Sequence, residues 1–105
     1  MSHDSNALTE GVYYILLSLY SPLHGYGIMQ KTDELSSGRV KLAAGTLYGA
    51  INTMLERGWI RALPGEQNSR KKEYEITGLG KTIVDDELIR LRELVANGEL
   101  IIKGI

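Results

Sequence analysis

The sequence predicts a mainly α-helical fold with a small β-hairpin, a winged helix-turn-helix followed by a C-terminal dimerisation helix. Three observations carry that expectation. Two segments with helical apolar spacing enclose a short polar helix, two strand-like segments flank a turn-rich basic connector, and a closing segment repeats its apolar residues at coiled-coil spacing. A chain of 105 residues forms one core, because cores divide only at well over twice that length. Within it, residues 1–76 read as the winged helix-turn-helix, with a disordered tail over about 1–6, and residues 77–105 as the C-terminal helix.

The first helix is expected from about 7 to 20. Leu8, Val12, Ile15, Leu16 and Leu19 fall on one face, while Tyr13, Leu17 and Tyr20 lie on roughly the opposite one. A helix apolar on two sides has its own core on one and a partner on the other. Pro22 stops it, since the residue before proline is pushed out of the α region. His24-Gly25-Tyr26-Gly27 then reads as a turn leading into a polar helix of about ten residues that ends near Leu35. Arg39 to Leu42 opens a third helix whose buried stripe is Leu47, Ala50, Ile51, Met54 and Leu55, up to Gly58 as the residue past its end.

Trp59 to Leu63 and Lys72 to Ile76 read as paired strands around the connector Pro64 to Lys71. Thr77 is placed to cap a last helix in which Val84, Leu88, Leu91 and Val95 repeat at 4-3-4, with Gly98 and Ile102 continuing the phase. Asn97-Gly98 leaves two endings open, a stop at that point or a helix that runs through. Gly78-Leu79-Gly80 reads as a loose helix start, and Asp85-Asp86-Glu87 as a solvated face.

Composition narrows the function classes. The chain is 43% hydrophobic and 24% charged, as in ordinary soluble domains, and it contains no Cys, which removes disulfides and thiolate metal sites. Its apolar runs are short and Met1-Ser2-His3-Asp4 lacks the features of an export signal, so a cytoplasmic location is expected. The net charge of −1 hides an asymmetry: residues 39–81 hold eight basic and four acidic side chains, a local balance of +4 between acidic ends. A basic middle points to an anionic partner.

The outward face of the third helix is the most informative stretch. With Leu47, Ile51 and Met54 turned inward, Gly45, Gly49 and Asn52 face out, with Thr46 and Tyr48 beside them. Glycine in a helix costs on the order of 1 kcal/mol relative to alanine, so two outward glycines suggest that something approaches the backbone closely. A DNA major groove fits, with Asn52 on a base edge and the Thr46 and Tyr48 hydroxyls on phosphates. Ser69-Arg70-Lys71-Lys72 puts three consecutive cations at the wing tip, and Lys41 adds one before the third helix.

Three blocks then resemble the signature of the PadR family of bacterial transcriptional regulators. They are Pro22-Leu23-His24-Gly25-Tyr26-Gly27-Ile28, Ala44-Gly45-Thr46-Leu47-Tyr48, and Arg70-Lys71-Lys72-Glu73-Tyr74-Glu75-Ile76-Thr77 with Gly80. The resemblance spans residues 8–81, and the single helix after the wing is similar to the family's short-C-terminus subfamily. It implies a homodimeric repressor of a near-palindromic operator in double-stranded DNA, released by a small-molecule effector. In that picture the last helix pairs with its counterpart and with the partner's first helix, through Tyr13, Leu17, Tyr20, Val84, Leu88, Leu91, Val95 and Ile102. Two departures stand out. Ala43 replaces the Ser cap of many members, and residues 77–105 contain no aromatic, which argues against an aromatic-sandwich effector site.

Other classes fare less well. No Ser-His-Asp set, isolated carboxylate pair or clustered metal ligands stands out, so neither an enzyme nor a cofactor or metal is expected. The alternative reading is a winged-helix module for protein contact, to which a basic wing and outward glycines would bring nothing. Tyr13, Tyr14 and Tyr20 are open to two readings, as the lining of an effector pocket between the first and last helices or as plain packing.

Overall fold

The computed structural model describes residues 7–64 and 72–104; the tail 1–6 and the wing-tip residues Ser69, Arg70 and Lys71 lie outside them. The chain runs α1 (Glu10–Ser18), β1 (Leu23–His24), α2 (Gly25–Leu35), α3 (Ala44–Glu56), β2 (Ile60–Ala62), β3 (Glu73–Ile76) and α4 (Gly78–Lys103). The helices predicted from periodicity are all present. α1 is shorter than its apolar pattern, because Thr9 accepts from the Val12 N–H at 3.2 Å and so fixes the start at Glu10.

The wing differs from the expected hairpin. His24, read as part of a turn, forms with Leu23 a short strand that pairs antiparallel with β3 through Leu23–Tyr74 and His24–Glu73. β3 pairs on its other side with β2, from Ile60–Ile76 to Ala62–Tyr74, so among the described residues the sheet has three strands in the order β1-β3-β2. The extra strand locks the start of α2 to the wing, and so fixes α2 and the wing relative to each other.

Ile15, Leu16, Leu19, Ile28, Leu47, Ile51, Met54, Ile60, Tyr74, Ile76 and Val84 form the core, drawn from every helix and from β2 and β3. Backbone bonds stitch its layers together: the Ile76 N–H donates to the Leu19 carbonyl at 2.9 Å, and the Thr77 N–H to that of Trp59 at 3.0 Å. Thr77 caps α4 as expected, accepting from the Gly80 N–H at 3.1 Å. Gly80 itself is not part of a loose start. A β-carbon there would overlap the Trp59 carbonyl oxygen and stand 2.6 Å from Ile76 Cγ1, so its lack of a side chain lets α4 lie directly on the sheet.

Of the acidic triplet on α4, Asp85 and Asp86 are exposed, but Glu87 is buried. Its carboxylate accepts from Arg90 Nε and Nη2 at 2.8 and 2.6 Å and from the Leu8 N–H at 3.4 Å, which ties the segment before α1 to α4. The Arg90 bonds hold the Glu87 carboxyl below its usual pKa despite burial. α4 then runs through Gly98 to Lys103, settling the open ending, and leaves the rest of the fold to give a body 59 Å long and 21 Å thin.

Candidate nucleic-acid interface

α2, the link over 36–43 and α3 form the helix-turn-helix, and the stripe Leu47, Ile51 and Met54 anchors α3 with its opposite face outward. Gly45, Thr46, Tyr48, Gly49 and Asn52 are all exposed, as their spacing requires. Among the described residues, nothing beyond the neighbouring backbone of α3 lies within 4 Å of where a β-carbon would stand at Gly45 or Gly49, so no contact among them accounts for the missing side chains. Ala43 precedes α3 without a side-chain cap, leaving the first amide groups of the helix without that partner.

Tyr48 does not simply project outward. It leans over the first turn of α2, where a β-carbon on Gly25 would overlap its hydroxyl. Tyr48 keeps 46% of its surface exposed and also lies close enough to Tyr74 to help raise that residue's pKa, after the larger effect of burial. One aromatic ring thus bridges α3 and the start of α2. Spacing alone placed Tyr48 at the edge of α3 and gave no sign of its neighbours across the fold.

The cations are distributed unevenly. Lys41 is exposed on the link, with its Nζ 3.2 and 3.4 Å from the two carboxylate oxygens of Asp33. Arg39 pairs with Glu10 of α1 through both terminal nitrogens. Lys72 is exposed immediately before β3. Tyr26, which the sequence reading passed over, is 62% exposed at the start of α2 and accepts from Gln30 Nε2 at 3.3 Å. Its i,i+4 partner and its place at the head of a polar helix were both visible in the sequence.

The residues assigned to a partner helix fall into three groups. Val84 is buried in its own core, and Tyr13, Leu17, Leu88 and Leu91 are partly covered within the chain. Tyr20, Val95 and Ile102 are exposed, at 47%, 60% and 83%. Leu94 and Ile101 are exposed next to the same stripe and widen it. Along it, Leu88, Leu91, Arg92, Val95, Ala96 and Glu99 line an open groove. Tyr13 and Tyr14 line a separate cleft of about 320 Å³ with Leu8, Glu10, Glu87, Arg90 and Leu91, and Tyr20 is not among its lining residues.

Among the described residues no group of His, Asp or Glu is placed to hold a metal ion, and no helix is long and apolar enough to cross a membrane. No curated protein matches the chain. Solved structures do. A transcriptional regulator from Clostridium thermocellum aligns at a TM-score of 0.67 with 23% identity, over 84% of this chain and 89% of the other. Bacillus subtilis PadR in complex with operator DNA aligns at 0.68 with 25% identity, over 81% of this chain and 49% of that one. RosR from H. salinarum aligns at 0.66 with 22% identity, over 94% and 100%. A family model described as the transcriptional regulator PadR-like family matches residues 13–86, more than half the chain. The three sequence blocks, the helix-turn-helix with its outward glycines and this match agree, and the chain belongs to the PadR-like family of transcriptional regulators.

Proposed function

We propose that this chain is a sequence-specific DNA-binding repressor that acts as a homodimer on a near-palindromic operator and is released by a small-molecule effector. The observation that carries the reading is the open space over Gly45 and Gly49 on the outward face of α3, which lets a groove edge approach the helix backbone. Thr46, Tyr48 and Asn52 lie along that face, and Lys41, Lys72 and the wing-tip residues Ser69, Arg70 and Lys71 supply phosphate contacts. The resemblance in fold to Bacillus subtilis PadR, solved with operator DNA, supports the same assignment.

Residues 77–105 serve as the dimer helix. Leu88, Leu91, Val95 and Ile102 form the seam, widened by Leu94 and Ile101, while Tyr13 and Leu17 of α1 and Tyr20 just after it meet the partner's α4. Exposed apolar residues on a helix extending beyond its own core support a second copy as their cover. The effector has the cleft at Tyr13 and Tyr14 available to it, between α1 and α4.

The test is fluorescence anisotropy with a labelled duplex taken from upstream of the chain's own gene, against a scrambled duplex, at two salt concentrations. Tight, salt-sensitive binding to the native duplex supports the repressor; no binding to either duplex at low salt overturns it in favour of a protein-contact module.

A further inference from the structure

We propose that Asp33 masks Lys41 in the free chain, and that DNA binding exchanges this carboxylate for a backbone phosphate, so that Asp33 holds DNA affinity down. The inference rests on the DNA-binding reading above and assigns a role to an acidic residue outside the interface.

Lys41 lies three residues before α3, on the link that leads into the helix whose outward face is open. Its ammonium reaches both oxygens of the Asp33 carboxylate, at 3.2 and 3.4 Å. Asp33 is held in place by the backbone, since its own carbonyl accepts from the Gly38 N–H at 2.8 Å and turns the link back over the end of α2. That position is electrostatically unfavourable for an acid. Asp33 and Glu34 both fall in the last turn of α2, where the helix dipole disfavours negative charge, and that turn contains no basic residue. Lys41 offsets the Asp33 charge from outside the helix.

The pair is exposed on both sides, with side-chain exposures of 72% for Lys41 and 47% for Asp33, so it opens at small cost and acts as a brake rather than a lock. A phosphate arriving at Lys41 has to displace Asp33. That competition weakens binding on any sequence, because phosphate contacts carry no sequence information.

Asp33→Asn, Lys41→Ala and the double variant are titrated with the upstream duplex and with the scrambled duplex, and each is melted to check its fold. Asp33→Asn is expected to bind up to about fivefold tighter, by the same factor on both duplexes, with folding retained. The gain is expected to vanish in the Lys41→Ala background, a result that a purely structural role for Asp33 would not produce. A folded Asp33→Asn that binds as wild type or more weakly, or a gain that persists without Lys41, overturns the mask while leaving the repressor reading intact. Failure of the wild type to bind either duplex removes the reading and the mask together.

Discussion

The Tyr48 hydroxyl occupies the place where a β-carbon of residue 25 would be, so the glycine at the first position of α2 is what lets the aromatic ring of α3 lie across it. The ring thereby spans α2 and α3, and its position depends on an atom that residue 25 lacks. Gly25→Ala is expected to push Tyr48 off α2, cost about 1–3 kcal/mol of stability as an overpacked site does, and weaken operator binding. Thermal melts with anisotropy on the same preparations check it; unchanged DNA affinity would show that the position of Tyr48 does not matter to the contact.

Phosphate contacts are read from salt dependence. Tyr48→Ala is expected to weaken binding, and replacing Lys71 and Lys72 together by Ala to weaken it while flattening the log-log salt slope by about one to two units. Lys72 is exposed ahead of β3, and Lys71 lies outside the described residues. An unchanged slope for the double variant removes the wing from the interface.

The proposed dimer seam makes a prediction about mass. Replacing Leu88 and Leu91 by Glu puts two carboxylates into the groove that those residues line with Val95 and Ala96. Monomers are expected by light scattering or sedimentation; a dimer that survives this change refutes the seam.

Glu87 contributes an acid-sensitive part of stability. Its Arg90 bonds, and to a lesser degree the Leu8 N–H, depress the folded-state pKa against the opposing effect of burial. A depressed carboxylate stabilises the fold above the unfolded pKa of about 4.3, and that contribution is lost as pH falls through the lower folded value. Glu87→Gln is therefore expected to reduce stability at neutral pH and to flatten the decline on acidification below about pH 5, as measured by denaturant titrations across pH. An identical pH slope in wild type and variant would rule the contribution out.

Much of this architecture was legible in the sequence because periodicity reports burial. The stripe Leu47, Ile51 and Met54 placed α3 and its outward face, and Thr77 marked the start of α4. What it missed depends on contacts distant in sequence. Two residues are too few for a period, so Leu23–His24 became a strand only through pairing with Tyr74 and Glu73. Glu87 looked like its solvated neighbours until Leu8 and Arg90 closed over it, and Gly80 looked like a loose start until the Trp59 carbonyl was in place. At Gly98, where the sequence left two endings open, α4 runs through, since one glycine costs only on the order of 1 kcal/mol.

If DNA comes close to the backbone of α3 at its outward glycines, Gly49→Leu blocks that approach. Because a β-carbon at Gly49 meets nothing within 4 Å among the described residues and leucine is the better helix former, the variant is expected to be as stable as before or up to about 1 kcal/mol more so. The account predicts an intact or raised melting temperature together with loss of binding to the upstream duplex in anisotropy. A stabilised variant that binds this duplex as tightly as wild type would contradict it.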